Sequence, residues 1–315
     1  MRRAVPADPP SSRPPSVIAV VLNWNGLEDT VRCVESLRRT THRPFDVLVV
    51  DNGSRVSPRM QLGEAVEVIE NQRNLGYAGG NNVGIRLALE RGADFVWILN
   101  NDAYVEPETL SHLVAAAMAH PTAAAVGGKV LRTDRPHTLW VAWGRVTWRQ
   151  SLIALDGEDA ADDGRWDGER AVPWIPGCSL LMRSSALREI GPFDEAFFAY
   201  HEDVEWAARA HDAGFELWYT GAARTWHSVH GSSGGVRHYG GFRKYLSARN
   251  SVLYARRHGR MWQCAAMAAA ILLTLPFQVG RRWLSGEHPG VLLKVRGWWD
   301  GLRGRPIPFR ELGLE

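Results

Sequence analysis

Residues 95–102 (FVWILNND) constrain the fold of this chain more than any other segment. Their apolar run is typical of a β-strand buried on both faces of a parallel sheet. The run ends in two amides and the carboxylate of Asp102, and open α/β sheets bind ligands at the carboxyl ends of their strands. Since oxygen ligands suit Mg²⁺ or Mn²⁺, the segment indicates a cation site. The alternative is a solvated Asn-Asn-Asp turn, which would have the same sequence.

Alternating strand and helix patterns predict an α/β fold, with a mostly parallel sheet flanked by helices. The predicted strands are 17–22, 45–50, 66–70, 95–99 and 178–183, and the predicted helices are 27–40, 80–91, 107–119, 184–189 and 203–213. Such alternation is typical of βαβ units, in which neighbouring strands run in parallel. The acidic, Gly-rich stretch 156–170 is expected to be a surface loop.

Polar turns follow the first two predicted strands. Asn23 and Asn25 come after the first strand and Asp51 after the second, a placement that suits a nucleotide laid across the sheet edge. Asp51 could accept a hydrogen bond from a pyrimidine imide or a ribose hydroxyl, or it could form an Asx turn. Residues 71–84 (NQRNLGYAGGNNVG) combine Gly and Asn ahead of a helix, which favours close backbone approach and anion binding. Their spacing matches neither Walker A nor a dinucleotide motif, which counts against ATPases and dehydrogenases.

A second group of ionisable residues lies later in the chain. Residues 201–205 (HEDVE) place three carboxylates near a helix start, where one of them could face a cleft as a general base. Acidic residues in a first turn also occur merely as complements to the helix dipole. Residues 226–231 (WHSVHG) add two histidines, and a neutral imidazole beside a carboxylate is a common cation ligand, although a structural role is as common.

The net charge of +3 conceals a division along the chain. Residues 237–315 carry 14 Lys and Arg against 4 Asp and Glu, a net of +10, whereas residues 1–236 carry 23 against 30, a net of −7. A basic C-terminal part could face an anionic membrane or nucleic acid. The three cysteines, Cys33, Cys178 and Cys264, offer no zinc spacing or disulfide framework, which fits a reducing compartment. The first apolar run is too short for a signal peptide, so export is not expected.

Eight segments, taken in order, resemble the family-2 glycosyltransferases of GT-A fold, in particular bacterial rhamnosyltransferases. They are VVLNWNG (20–26), DNGS (51–54), NLGYAGGNN (74–82), LNNDA (99–103), GCSLLMR (177–183), GPFDEAFFAYHEDVEW (191–206), WHSVHGSS (226–233) and RNSVLY (249–254). The resemblance implies an inverting, metal-dependent glycosyltransferase that moves a sugar from a nucleotide-diphosphate donor to a hydroxyl of a glycan or polyprenyl-linked acceptor. The favoured donor is dTDP-rhamnose, with UDP-hexoses and UDP-galactofuranose as alternatives.

The resemblance also implies a role for each matching position. Asp203 matches the catalytic base, and Asp102 and His227 match the ligands of a divalent cation, Mg²⁺ or Mn²⁺, with His230 as the weaker candidate. Asn100 replaces the first Asp of the family's Asp-X-Asp motif, which keeps a nucleotide-sugar-binding protein of weak or no activity as the alternative. The implied donor-binding residues are Asn23, Asn25, Asp51, Asn74, Gly76, Gly80, Asn81, Asn100 and Asn101. The implied sugar or acceptor pocket is formed by Trp174, Gly177, Cys178, Tyr200 and Glu202.

Three parts are expected: a disordered tail at 1–16, a GT-A nucleotide-sugar-binding and catalytic domain at 17–236, and a helical, basic, membrane-associating region at 237–315. Residues 261–280 are just long enough to span a bilayer. Pro276 and the many alanines favour a helix that lies in or dips into the cytoplasmic leaflet instead, with a buried core helix as the alternative. Trp283, Trp298 and Trp299 are expected at headgroup level.

The expected location is therefore cytoplasmic, peripheral on the inner face of the plasma membrane. A lipid-linked acceptor would suit that location, because the active site would then lie beside the membrane. A nucleic-acid-binding protein is the remaining reading of the basic region. The sequence contains no recognised reader motif, and the basic region has an apolar centre, so nucleic acid is not an expected partner.

Overall fold

The computed structural model describes residues 13–228, 241–284 and 288–315. The strands are β1 Val17–Asn23, β2 Phe45–Asp51, β3 Glu67–Glu70, β4 Phe95–Asn100, β5 Ala103–Val105, β6 Ala123–Arg132, β7 Leu139–Val141, β8 Trp143–Val146, β9 Ile153–Asp156, β10 Glu169–Val172, β11 Ser179–Arg183 and β12 Glu216–His227. The helices are α1 Leu27–Arg38, α2 Arg59–Leu62, α3 Gly76–Glu90, α4 Thr109–Ala119, α5 Ser184–Ile190, α6 Glu202–Asp212, α7 Phe242–His258, α8 Met261–Leu284, α9 His288–Arg303 and α10 Phe309–Leu312, with a 3₁₀ turn at Glu195–Phe197.

Within the described residues, ten strands form one sheet. Its order is β10-β12-β6-β11-β4-β1-β2-β3, with β5 beside β12 and β7 beside β6, while β8 and β9 form a separate antiparallel pair. Strands β4, β1, β2 and β3 pair in parallel, and β11 lies antiparallel to β4. The predicted α/β class, with helices flanking the sheet, is confirmed.

The apolar runs are continuous because β1 and its neighbours are covered on both faces. Val20 packs with Ile85 of α3 on one face, and Val21 packs with Leu37 of α1 on the other. A Cβ at Gly84 would come within 2.3 Å of the Val20 side chain, so a glycine lets α3 lie close to β1. Burying side chains of this size contributes roughly 1.5–3 kcal/mol each, which fixes the strands whose ends carry the polar turns.

Two long strands, β6 and β12, were not predicted. The sequence of β6 (AAAVGGKVLR) is rich in Ala and Gly, which have low strand propensity, and the pairing of β12 with β6 is irregular between Thr220 and Arg224. Packing on both faces outweighs that propensity. Two helix starts also differ, because α3 begins at Gly76 rather than 80, and α4 begins at Thr109, after the proline expected inside it.

The stretch 156–170 is a loop over most of its length, but it is anchored to the core. The Lys129 side chain is fully buried and forms ion pairs with Asp162, at 2.5 Å, and with Asp167. A buried ammonium requires such partners, because unpaired it would lose its hydration without compensation. Some of the acidity of this stretch therefore neutralises one buried lysine.

The C-terminal helices pack on the rest of the molecule through close contact between α7 and α9. A Cβ at Gly297 or Gly301 of α9 would come within 2.3 or 2.6 Å of a backbone carbonyl of α7. The Tyr245 hydroxyl donates to Asp300 Oδ2 at 2.9 Å across the same interface. Trp298 is only 8 % exposed, so its expected place at headgroup level is wrong. No helix in the described ranges is long and apolar enough to cross a membrane.

The division into three parts stays a prediction. Its boundary at 236/237 falls within 229–240, outside the described residues, and most of the tail at 1–16 lies outside them too. Of that tail, residues 13–16 are described, and the backbone N–H and hydroxyl of Ser16 both donate to Asp94 Oδ2 at 2.8 Å.

Candidate active site

The polar strand ends meet at one edge of the parallel half of the sheet. Asn23 at the end of β1 lies opposite Asp51 at the end of β2, and Leu22 lies opposite Asn100 at the end of β4. Parallel pairing brings these ends together because all three strands point the same way. The residues that follow β4, including Asp102, therefore start from the same edge.

Four buried side chains at this edge bind one another, and we call them the Asn23 cluster: Asn23, Thr30, Asp51 and Asn101. Asn23 Nδ2 donates to Asp51 Oδ1 at 2.7 Å, and the Thr30 hydroxyl donates to Asn23 Oδ1 at 2.9 Å. Asn101 Nδ2 donates to the Thr30 hydroxyl at 3.0 Å. All four residues are at most 4 % exposed. Asp51 and Asn23 were both predicted to bind the nucleotide, but in the structure the Asn23 amide binds the Asp51 carboxylate.

The Asn- and Gly-rich segment before α3 folds onto these strand ends. Asn74 Oδ1 accepts a hydrogen bond from Asn52 Nδ2 at 2.9 Å, and Asn74 Nδ2 donates to the carbonyl of Leu314 at 3.2 Å. Gly76 has a φ of 77°, and a Cβ there would come within 2.4 Å of the Phe198 ring. Asn81 is fully buried inside α3, and its Nδ2 donates to the carbonyl of Tyr77 at 2.9 Å.

Two adjoining cavities open beside these elements. The first has a volume of about 130 Å³, and the second of about 320 Å³. Of the residues predicted for the site, the first is lined by Asn74, Gly76, Asn100, Asn101 and Tyr200, and the second by Asn100, Trp174, Gly177, Cys178, Tyr200, Glu202, Asp203 and His227. The predicted residues Asn23, Asn25, Asp51, Gly80, Asn81 and Asp102 line neither of these two cavities.

Asp102 and His227 form a close pair at the wall of the larger cavity. Pairing of β12 with β5 sets His227 opposite Ala103, and the Asp102 Oδ1 atom lies 3.0 Å from His227 Nε2. Asn100 Nδ2 lies 3.1 Å from the same nitrogen. The Asp102 side chain is 2 % exposed, so it meets the cavity through His227. His230, the weaker candidate, lies outside the described residues.

The surroundings of His227 Nε2 are chemically unbalanced. A proton on Nε2 would serve the Asp102 carboxylate but would face the Asn100 amide hydrogens. Without that proton, the lone pair could accept from Asn100 but would face the carboxylate oxygen. A cation bound by the lone pair and the carboxylate would remove this conflict. In the described ranges no group of three or more His, Cys, Asp or Glu could hold a metal ion, so further ligands would have to come from substrate or water.

Asp203 lies at the start of α6 and lines the larger cavity. Its Oδ2 accepts from the backbone N–H of Gly177 at 2.8 Å, and its Oδ1 accepts from the N–H of Val204 at 2.8 Å. Burial raises the pKa of the Asp203 carboxyl to about 6, although these two hydrogen bonds oppose the rise. A carboxyl that loses its proton just below neutral pH is suited to general-base chemistry.

Burial shifts the pKa of both residues that precede Asp203 toward the uncharged form. Burial, together with the charge of Asp203, holds the pKa of Glu202 well above its usual range, and burial lowers the pKa of His201 to about 4. In the described part of the chain, Glu202 Oε2 and His201 Nδ1 have no hydrogen-bond partner. Both groups belong to residues that line the larger cavity, where a bound ligand could satisfy them.

Tyr77 links Asn100, which neighbours His227, to Gly177, which neighbours Asp203, and it was not predicted for the site. Its hydroxyl lies 2.9 Å from Asn100 Oδ1 and 2.8 Å from the carbonyl of Gly177, whose N–H binds Asp203. The sequence did contain a sign of its role, because Tyr77 lies within NLGYAGGNN (74–82), one of the segments that resemble the family. Arg243 of α7 was missed as well; it lines the cavity, and its Nε donates to the Tyr200 hydroxyl at 2.7 Å. Nothing in the sequence distinguished it from the other basic residues of the C-terminal part.

A sequence model described as glycosyl transferase family 2 matches residues 16–189, more than half of the chain. The chain belongs to this family. It uses a nucleotide-sugar donor, and the predicted resemblance to bacterial rhamnosyltransferases is confirmed. The N-acetylglucosaminyl-diphospho-decaprenol L-rhamnosyltransferase of Mycobacterium tuberculosis is 29% identical over 263 residues, which cover 74% of this chain and 81% of the relative. The galactofuranosyltransferase GlfT1 of the same species is 30% identical over 198 residues, 60% of this chain and 62% of the relative.

Solved glycosyltransferases share the fold of the family-2 enzyme. The mannosyltransferase PcManGT from Pyrobaculum calidifontis, in complex with GDP-Man and Mn²⁺, superposes with a TM-score of 0.59 at 16% identity, over 94% of this chain and 89% of that one. GalNAc-T7 with UDP, GalNAc and Mn²⁺ gives a TM-score of 0.55 at 15% identity, over 83% and 58%. The predicted GT-A fold is confirmed.

Proposed function

We propose that this enzyme is an inverting glycosyltransferase that moves rhamnose from dTDP-rhamnose to a hydroxyl of a glycan or lipid-linked acceptor. One observation carries the proposal: Asp203 and His227 line a single cavity of about 320 Å³, and the buried Asp102 carboxylate lies 3.0 Å from His227 Nε2. The Asp203 carboxyl, whose pKa is raised, thus lines the same cavity as His227, the prospective cation ligand. UDP-hexoses and UDP-galactofuranose are the alternative donors, the latter because of the similarity to GlfT1.

In the proposed reaction Asp203 takes the proton of the acceptor hydroxyl while that oxygen attacks the anomeric carbon of the donor. The bond from that carbon to the diphosphate breaks, and the electron pair leaves with the diphosphate. Attack from the face opposite the leaving group inverts the anomeric configuration, so no covalent enzyme intermediate is required. The N–H groups of Gly177 and Val204 fix the Asp203 carboxylate in one orientation, which lowers the entropic cost of reaching the reactive geometry.

Asp102 and His227 are the residues that would hold a divalent cation, Mg²⁺ or Mn²⁺, together with phosphate oxygens of the donor. When bound, the cation would supply Lewis-acid stabilisation of the negative charge on the diphosphate. The crowding of polar atoms around His227 Nε2 supports this assignment. The solved structures of PcManGT and GalNAc-T7 contain Mn²⁺, in keeping with it.

The donor is tested with a panel of dTDP-rhamnose, UDP-galactofuranose and UDP-glucose, each with Mn²⁺, Mg²⁺ or EDTA. We expect dTDP-rhamnose with a cation to give the largest rise in Tm, since a ligand bound to the native state stabilises it. Transfer to a short N-acetylglucosaminyl-diphospho-polyprenol should then invert the anomeric centre, as read by NMR. A larger rise in Tm and faster turnover with another nucleotide sugar would show that this other compound is the donor. Tight donor binding without transfer or hydrolysis would instead indicate a binding protein.

The cation site is tested with Asp102→Asn and His227→Gln. Each variant should raise the Mn²⁺ concentration for half-maximal activity by more than the roughly 10-fold that loss of an outer-shell partner costs. Asp134→Asn, which changes a carboxylate on an exposed turn, serves as the control. Full wild-type activity in EDTA would contradict the cation site.

The C-terminal helices are proposed to hold the enzyme against the cytoplasmic face of the membrane. Exposed apolar side chains on α8 include Leu272 at 70 %, Leu273 at 80 % and Phe277 at 74 %. Inserting such side chains is worth roughly 1.5–3 kcal/mol each, so changing all three to Ser should release the enzyme from phosphatidylglycerol vesicles. Met60→Ser, which alters an exposed apolar residue of α2, should leave binding unchanged. Undiminished vesicle binding by the triple variant would contradict the membrane-facing role.

A further inference from the structure

The loop that leads into α6 has an unusual backbone. Phe198, Tyr200 and His201 have φ values of 59°, 71° and 69°. The left-handed region is unfavourable for residues other than glycine because the Cβ approaches the backbone oxygen. Three such residues within four positions will not keep this conformation by themselves, so contacts from elsewhere must hold the loop.

Those contacts come largely from one side chain of α7. Asn250 is fully buried, and its Nδ2 donates to three carbonyls of the loop, those of Phe197 at 2.7 Å, Ala199 at 2.8 Å and Tyr200 at 2.8 Å. The amide has two hydrogens for three carbonyl acceptors, so one of these hydrogens is shared between two carbonyls. One of these carbonyls, that of Tyr200, belongs to a residue with positive φ, and the Phe197 carbonyl also accepts from the N–H of Ala199 at 2.7 Å. The amide therefore ties three points of the loop to α7, and removing it would take a hydrogen bond from each of these carbonyls.

Arg249 fixes the orientation of that amide. Its Nη1 donates to Asn250 Oδ1 at 3.0 Å and also to the carbonyl of Ala196 at 3.0 Å, just before the loop. With Oδ1 occupied as an acceptor, the Asn250 amide nitrogen has to face the loop. Arg249 and Asn250 begin the segment RNSVLY (249–254), which has no role in the proposed catalysis or donor binding.

The loop supported in this way joins the two halves of the active site. Tyr200 and His201 line the larger cavity, and Asp203 follows them directly at the start of α6. On the other side, the Phe198 carbonyl accepts from the N–H of Ala78 at 3.0 Å, in the first turn of α3. A change in the loop would therefore move Asp203 relative to the donor-binding segment before α3.

We propose that Asn250, oriented by Arg249, is a positioning residue that holds Asp203 in reactive geometry through residues 197–201. It touches neither substrate nor reacting atoms, and it acts through the loop. The inference rests on the proposed role of Asp203 as base. It makes α7 part of the catalytic machinery, in addition to the packing of α7 on α9.

The main test compares Asn250→Ala with Ser251→Ala. Ser251 is the next buried polar residue of α7, but its hydroxyl donates to the carbonyl of Ala248 within the same helix. Misplacement of catalytic groups by about 1 Å can cost on the order of 100-fold, so kcat of Asn250→Ala should fall by roughly 10–100-fold with little change in donor KM. Ser251→Ala should keep its kcat. Equal kcat values for the two variants would overturn the proposal.

Two further variants cover the failure modes of that comparison. Asn250→Ser retains one hydrogen-bond donor and should recover part of the lost kcat. If Asn250→Ala does not fold, Arg249→Met decides the question, because it leaves Asn250 in place but frees the orientation of its amide. Arg249→Met should lower kcat several-fold at unchanged donor KM, and wild-type kcat in a folded Arg249→Met would overturn the proposal.

The double variant Asp203→Asn/Asn250→Ala separates this inference from the proposed base. If Asn250 acts through Asp203, the second substitution should cost far less in the Asp203→Asn background than alone. Fully additive losses would show that Asn250 acts elsewhere, and the positioning role would be wrong while the base stands. Near-normal turnover of Asp203→Asn alone would remove the base and this inference together.

Discussion

The Asn23 cluster and the wall of the larger cavity contain similar polar groups in opposite states. In the Asn23 cluster each side chain binds another member, and Asp51 accepts from Asn23 at 2.7 Å and from the N–H of Ser54 at 3.2 Å. At the cavity, burial raises the pKa of Asp203, and Glu202 retains a buried oxygen with no partner among the described residues. The first arrangement stabilises the fold, and the second leaves polar capacity for a ligand.

The difference separates structural polar residues from reactive ones. A satisfied buried network is rigid and costs free energy when any member is changed. A buried carboxyl with a raised pKa, such as Asp203, or with an unpartnered oxygen, such as Glu202, destabilises the protein without substrate and becomes useful only when a substrate binds. Residues of similar type at strand and helix ends therefore have different expected effects when they are substituted.

The largest expected effect is the loss of turnover in Asp203→Asn. General-base catalysis contributes roughly 10²–10⁴-fold, and the amide cannot accept the proton of the acceptor hydroxyl, so kcat should fall by about that factor. Steady-state kinetics at saturating donor measure it, with Asp212→Asn, an exposed carboxylate on the same helix, as control. Near-normal kcat in Asp203→Asn would show that Asp203 is a structural residue, like the members of the Asn23 cluster, and not the base.

A smaller effect of the structural kind is expected from Asp51→Asn. Both carboxylate oxygens of Asp51 accept hydrogen bonds, and an amide would set its own donor against either Asn23 or Ser54. We expect the free energy of unfolding to fall by about 1–3 kcal/mol without donor, measured by urea denaturation. Asn25→Gly, which keeps the positive φ of an exposed neighbour accessible, is the control. Unchanged stability would remove the distinction between the two regions.

The stability of Asp203→Asn should depend on pH in a defined direction. Because the folded pKa of Asp203 is about 6, above its ordinary 3.8, its protonated form stabilises the wild type below pH 4, and this contribution is lost as the pH rises through 6. The variant lacks that titration. Its free energy of unfolding relative to wild type should therefore rise by about 2 kcal/mol from pH 4 to pH 8, after allowance for partial solvent exposure. A pH-independent difference would mean that burial does not raise this pKa.

The raised pKa of Asp203 should also appear in the wild-type rate profile. A base with a pKa of about 6 must be ionised, so kcat/KM should fall about tenfold per pH unit below 6 and level off above it. Initial rates at a fixed cation concentration measure the profile. If kcat/KM began to fall only near pH 4, the pKa of Asp203 would be unperturbed. The contrast between the larger cavity and the Asn23 cluster would then lose its main support.

Much of the parallel half of the sheet was predictable because its strands are buried on both faces. The runs that became β1, β2 and β4 contain the required apolar residues, and their polar ends follow directly. The strand β6 could not be predicted, since its alanines and glycines form a strand only where neighbours cover them. The predicted site residues were nearly all placed near one edge, yet the sequence could not separate Asn23, which binds Asp51, from Asn100, which lines both cavities.

The sequence by itself determined the family, the α/β class, and the carboxylates at positions 102 and 203, because these follow from local composition and ordered motifs. Only the tertiary structure decided that Asp102 meets the cavity through His227, that Asp51 is bound by Asn23, and that α7 reaches back to the loop before Asp203. Burial, pKa and hydrogen-bond partners depend on residues far apart in the chain. Those quantities distinguish a structural carboxylate from a reactive one, and they arise only when the chain has folded.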